Sequence, residues 1–165
     1  MKAIFGAFFM SAMLLASVGG SSATSYIQAS SSDEQLATDT KPKVVTMNSV
    51  DAKKNVTLDK TVIRVNENGA FFFVAAAQVG GKAKGLVRMW MRINGKDVDN
   101  SNTEQIITDP EFTAVLVCQG VAEVKKGDKV EVVFSGSEPG VGLVVKKPAG
   151  EPVVPSVILS GWRID

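Results

Sequence analysis

The sequence predicts an all-β sandwich or barrel of nine or ten short strands. Three observations point there. Runs rich in Val, Ile, Phe and Thr recur along the 165 residues, separated by Gly, Asn, Asp and Pro turn signals. No long stretch carries a helical period. Several runs alternate apolar and polar side chains, the pattern of a strand with one face in water.

The amino-terminal residues stand apart. Lys2 precedes the apolar run IFGAFFMSAMLLASVGG, and Ser21 and Ala23 fit a small-x-small cleavage pattern. Residues 1–23 therefore read as a secretory signal peptide. Of the 18 basic residues only Lys2 leaves with it, so the remaining basic residues balance the 17 acidic ones. That balance implies no strong field toward nucleic acid or membrane. No stable membrane insertion is expected after cleavage. Residues 24–42 are rich in Ser, Thr and Asp, and read as a polar arm with one short strand, SYIQAS. The domain proper is expected over residues 43–165.

Its elements follow in order. KVVTM, NVTL and TVIRVNENG come first. AFFFVAAAQV ends at Gly80-Gly81, and GLVRMWMRI ends at Asn94-Gly95. FTAVLVC and VAEV lead to Lys126-Gly127-Asp128, and KVEVVF runs into Ser135-Gly136-Ser137. GLVVKK precedes a proline-rich loop, and SVILSGWRI closes the sequence. In GLVRMWMRI, Val87, Met89, Met91 and Ile93 share a core face, while Arg88, Trp90 and Arg92 share a half-wet face. AFFFVAAAQV and SVILSGWRI are apolar on both faces. A two-layer sandwich has no third layer to cover a second apolar face, so a neighbouring copy of the chain is the expected cover.

Four motifs carry a family resemblance. They are Gly69-Ala70-Phe71-Phe72-Phe73, Asn94-Gly95, Gly127-Asp128-Lys129-Val130, and a closing strand with Leu159, Gly161 and Trp162. In this order and spacing the chain resembles the globular head domain of the complement C1q family, within the C1q/tumour-necrosis-factor jelly rolls. The family pattern has Tyr where Phe71 stands and Phe-x-Gly-Phe where Leu159, Gly161 and Trp162 stand. The resemblance implies a ten-stranded jelly-roll β-sandwich, a homotrimer, and a secreted binding module for an extracellular protein or glycan. It also implies that Phe71, Phe73 and Ala75 face the sandwich core, and that Phe72, Val74 and Ala76 face a threefold axis. The motif glycines have a backbone reading as well. Gly69 and Gly127 stand where a turn tolerates positive φ. Gly95 suits the second position of a type I′ hairpin turn.

The chain has no histidine. That removes the usual base for a serine or cysteine nucleophile and the usual imidazole ligands of a metal enzyme. No catalytic residue, metal or cofactor is assigned. The single cysteine, Cys118, forms no internal disulfide and reads as a buried thiol. GGKAKG (80–85) lacks the Gly-Lys-Ser/Thr ending of a phosphate loop and reads as a hairpin loop. KDVDNSN (96–102) groups Asp97, Asp99, Asn100 and Asn102. A polar loop is the ordinary reading and a calcium loop the alternative. Lys53-Lys54, Lys125-Lys126 and Lys146-Lys147 read first as strand-edge and turn lysines, and second as an anion-binding rim. Asn55-Val56-Thr57 is a glycosylation acceptor in a eukaryotic host. An adhesive or structural surface protein is the competing expectation to a recognition module.

Overall fold

Alternation along the strands decides which side of each is buried, and the buried sides of two sheets meet in one core. The computed structural model describes residues 25–165. The signal peptide expected over residues 1–23 lies outside the described residues. Among the described residues there are fourteen strands and no helix. Ten strands have four residues or more. They are β1 (Tyr26–Ser31), β4 (Ser49–Lys54), β5 (Val56–Asp59), β6 (Val62–Val65), β7 (Gly69–Gly81), β8 (Gly85–Ile93), β10 (Thr103–Ile107), β11 (Ala114–Val124), β12 (Lys129–Gly136) and β14 (Val157–Arg163). Four shorter ones are β2 (Gln35–Leu36), β3 (Lys43–Val44), β9 (Lys96–Asp97) and β13 (Val141–Leu143).

The first sheet runs β2-β13-β7-β14-β1-β4, with β11 on β7 as well. The second runs β10-β8-β12-β6-β5, with β3 on β12 and β9 on β8. Every recorded pairing between strands is antiparallel. The crossovers put chain-distant strands side by side, which is the jelly-roll arrangement. The core lies between the sheets. Phe71, Phe73, Ala75, Ala77, Leu159, Cys118 and Ile27 fill it from the first, and Met89, Met91, Val130, Val132, Phe134 and Ile63 from the second. Phe71 and Phe73 stack with ring centroids 5.8 Å apart.

Two expectations need correction. The short strand expected at SYIQAS is present as Tyr26–Ser31, but residues 25–42 do not stand outside the domain as an arm. Tyr26–Ser31 pairs with β14 on one side and β4 on the other, and Gln35–Leu36 pairs with β13. The sheet therefore begins well before residue 43, because Ile27 and Ala29 alternate inward among serines and glutamine. FTAVLVC and VAEV are not two strands but one, Ala114–Val124, continuous through Gly120. Two further strands stand where the sequence shows no β-type run. Ser49–Lys54 is exposed at all six positions, as an edge strand with lysines can be. Thr103–Ile107 buries only Ile107 fully.

Candidate functional site

The four motifs gather into two contacts. In the first sheet, β14 pairs with β7 so that Phe73 lies opposite Gly161, Phe72 opposite Trp162 and Phe71 opposite Arg163. A Cβ on Gly161 would overlap the Phe73 ring, so the glycine leaves the space that the ring fills. On the other side of the sheet the rings of Phe72 and Trp162 lie 4.9 Å apart at a 55° tilt. Gly69 does not form the expected turn but opens β7. A Cβ there would meet Arg163 Nε and Asp165 Oδ1 at 2.7 Å. Arg163 pairs with Glu67 and Asp165, Ser25 donates to Glu67, and Ala70 N–H donates to Asp165. The Arg163 guanidinium holds the Asp165 carboxyl below the usual carboxylate range.

The second contact joins two turns. Asn94 and Gly95 have φ of 51° and 81°, as a type I′ turn requires. Gly127, φ 92°, sits in the turn between β11 and β12. Asn94 Nδ2 donates to Asp128 Oδ1 at 2.9 Å, and Lys129 N–H donates to Asn94 Oδ1 at 3.0 Å. Lys125 N–H closes the turn on Asp128 Oδ2 at 2.8 Å. The Asn94 amide, with that backbone N–H, lowers the Asp128 pKa. Val130, two residues on, is buried opposite Ile93 and Ile63.

The two outer faces of the sandwich differ. On the first sheet, registers align Val121, Phe72, Trp162 and Tyr26 in one row across four strands. A second row holds Gln119, Val74, Ser160 and Gln28, and a third holds Val117, Ala76, Ile158 and Ser30. Val121 is 58% exposed, Ile158 41% and Trp162 40%. Phe72, Val74 and Ala76 are half-buried, sheltered only by their neighbours on this face. Lys54 stands beside Tyr26 at the β4 end, and Glu123 lies one step beyond Val121 on β11. Sequence reasoning named the β7 residues of this face. It missed Tyr26, Val117 and Val121, which each look unremarkable within their own strands.

On the second sheet, Arg88 pairs with Glu104 at 2.6 Å and Arg92 with Asp97 at 2.8 Å. Both guanidiniums flanking Trp90 on β8 thus turn to carboxylates. Trp90 Nε1–H donates to Asp97 Oδ1 at 2.8 Å, and this bond together with Arg92 lowers the Asp97 pKa. Trp90, Asp97, Val98, Asp99, Asn100 and Asn102 line a half-open cavity of about 280 Å³. Among the described residues no three His, Cys, Asp or Glu side chains gather as a metal site would need. Cys118 is buried against Ala75, and burial pushes its thiol up to about 12. Asn55 is exposed at the β4–β5 turn with φ 53°. Lys53 and Lys54 lie on the edge strand β4, and Lys125 and Lys126 in the turn that follows β11.

No family model and no curated protein matches the sequence. Solved structures do. Murine APRIL at pH 5.0 superposes with a TM-score of 0.59 at 10% identity, covering 86% of this chain and 99% of that one. The globular domain of zebrafish complement 1qA superposes with a TM-score of 0.51 at 16% identity, covering 86% and 98%. At such identities the likeness is one of fold. Residues 25–165 form an all-β, C1q/TNF-like jelly roll.

Proposed function

We propose that the chain is a secreted, non-enzymatic recognition module that works as a homotrimer and binds an extracellular protein or glycan through its loops and outer faces. The observation that carries this reading is the outer face of the first sheet. Val121, Phe72, Trp162 and Tyr26 form one apolar row across β11, β7, β14 and β1, and Val117, Ala76 and Ile158 form another across three of these strands, joined on β7 by Val74 with Gln119, Ser160 and Gln28 between the rows. Leaving a large apolar side chain in water forgoes about 1.5–3 kcal/mol. A face of this kind marks an interaction surface. Its ends carry opposite charge, Lys54 at β4 and Glu123 on β11. A closed ring, in which the β11 edge of one copy meets the face of the next, satisfies both the apolar rows and these charges. In that ring Phe72, Val74 and Ala76 face the threefold axis.

Recognition follows from repetition. Three copies present three sets of loops, and weak single contacts multiply when they engage one surface together. The likeness of fold to C1q/TNF-type domains supports a ligand-binding module, and the signal-like amino terminus supports secretion. An adhesive or structural surface protein is the second reading, because the same trimer would serve it. A protein and glycan array probed with the intact oligomer separates the two. Saturable binding lost on loop substitution supports recognition. Absence of any saturable ligand, with stable attachment to an envelope or matrix, supports the structural reading.

A further inference from the structure

We infer that the cavity beside Trp90 is a binding subsite for a single neutral sugar ring. The inference rests on the recognition-module reading, and it places the glycan contact on the second sheet, away from the proposed trimer face. Size comes first. About 280 Å³ lies just below the usual range of ligand pockets, roughly 300–1,000 Å³, and suits one ring rather than an extended ligand.

Lining chemistry comes next. Asn100 and Asn102 each offer a donor and an acceptor, and Asp99 offers acceptors. Neighbouring sugar hydroxyls each donate and accept, so they match a mixed amide and carboxylate lining. Val98 supplies most of the apolar surface for ring carbons, and Trp90, 8% exposed, adds only an edge at the cavity wall. The wall is held in place before any ligand arrives. Asp97 is fixed by Trp90 Nε1–H and Arg92 Nε, both at 2.8 Å. Ser101 Oγ donates to Val98 O at 2.7 Å and accepts from Met91 N–H at 3.0 Å, which pins the 98–101 loop to β8. Preorganisation of this kind lowers the ordering cost of binding.

Charge argues against the calcium alternative raised by KDVDNSN. Asp97 already neutralises Arg92. That leaves Asp99 as the one carboxylate of the lining without a cationic partner, whereas calcium sites use six to eight oxygen ligands and several carboxylates. Two aspartates in the lining also disfavour an anion. A neutral polyol is what remains.

The test uses the secreted chain in its native assembly. Glucose, galactose, mannose and N-acetylglucosamine are titrated separately to tens of millimolar, with tryptophan fluorescence and ligand-observed NMR as readouts. Calcium alone is titrated in parallel. At least one of the sugars is expected to saturate, with chelator leaving the affinity unchanged. The double variant Asp99→Ala/Asn102→Ala is expected to weaken it at least tenfold while circular dichroism, melting temperature and oligomeric mass stay as in the parent. Three results overturn the inference: no saturation by any of the four sugars, saturation untouched by the double variant, or calcium binding at the cavity without a sugar. Oligomeric mass and array binding are measured on the same sample. Failure at this cavity with both of those intact refutes the subsite alone, whereas loss of array binding with every ligand refutes the recognition reading.

Discussion

The two outer faces of this sandwich are built from the same kind of strand and end in opposite states. On the second sheet, each arginine of β8 is matched to a carboxylate, Arg88 to Glu104 and Arg92 to Asp97, and Trp90 is tucked behind Asp97 with only 8% of its surface open. On the first sheet, the equivalent positions hold Phe72, Trp162, Tyr26 and Val121, with rings and methyl groups turned outward. The second face has its arginines paired, with Ile106 of β10 as an isolated exposed apolar side chain, whereas the first carries its exposed apolar side chains in rows. Exposed ion pairs are individually worth little, about 0–1 kcal/mol, so the second sheet's pairs serve solubility more than stability. On the proposed reading, the second sheet meets solvent and ligands and the first meets copies of the chain.

Substitutions that break this contrast should act in a set order. The largest effect is expected at Phe71→Asp, which buries an unpaired carboxylate beside Phe73 and should abolish cooperative folding, read as loss of the β signal in circular dichroism. Phe72→Asp, one residue away, should leave the fold in place and separate the copies. If both variants unfold alike, the distinction between the two sides of β7 fails. Next comes Gly161→Ala, whose new Cβ has to displace the Phe73 ring. Overpacking of that kind costs about 1–3 kcal/mol, measured by denaturant titration.

Asn94→Ala should cost somewhat less, about 1–2 kcal/mol, because it unties the amide from Asp128 and places a Cβ-bearing residue without a local partner at φ 51°. Equal stability of this variant and the parent would show that the two turns do not support one another. The smallest effect is one of pH. Asp128 is held below its ordinary carboxyl value in the folded chain by the Asn94 amide and the Lys125 N–H. Its contribution is present above the unfolded value, near pH ~4, and is lost as pH falls through the lowered folded value. Asp128→Asn should therefore flatten the acid limb of the stability curve below about pH 4 and leave its slope at neutral pH unchanged.

Much of this was legible in the sequence, and the gaps have physical causes. The jelly roll could be read because its motifs are local: a turn dipeptide or a run of alternating side chains needs no distant partner to be recognised. The joining of Gly161 to Phe73 and of Asn94 to Asp128 could not be read. Those pairs form across strands distant in the chain, and register alone brings them together. The lack of alternation in AFFFVAAAQV pointed to a covered second face, but its full extent depended on Tyr26, Val117 and Val121 from strands that look ordinary alone. Gly120 looked like a break and is not one, since β11 runs through it opposite Phe73. Ser49–Lys54 carries no apolar period because it buries nothing. The Trp90 cavity escaped for a related reason: its loop was visible, but the indole beside it arrives from β8 through a hairpin.

Sedimentation equilibrium of the chain at micromolar concentration, alongside Phe72→Asp, tests the central claim most directly. The account predicts three times the protomer mass for the parent, and a single protomer with an unchanged β spectrum for the variant. A parent that sediments as a single protomer would contradict it.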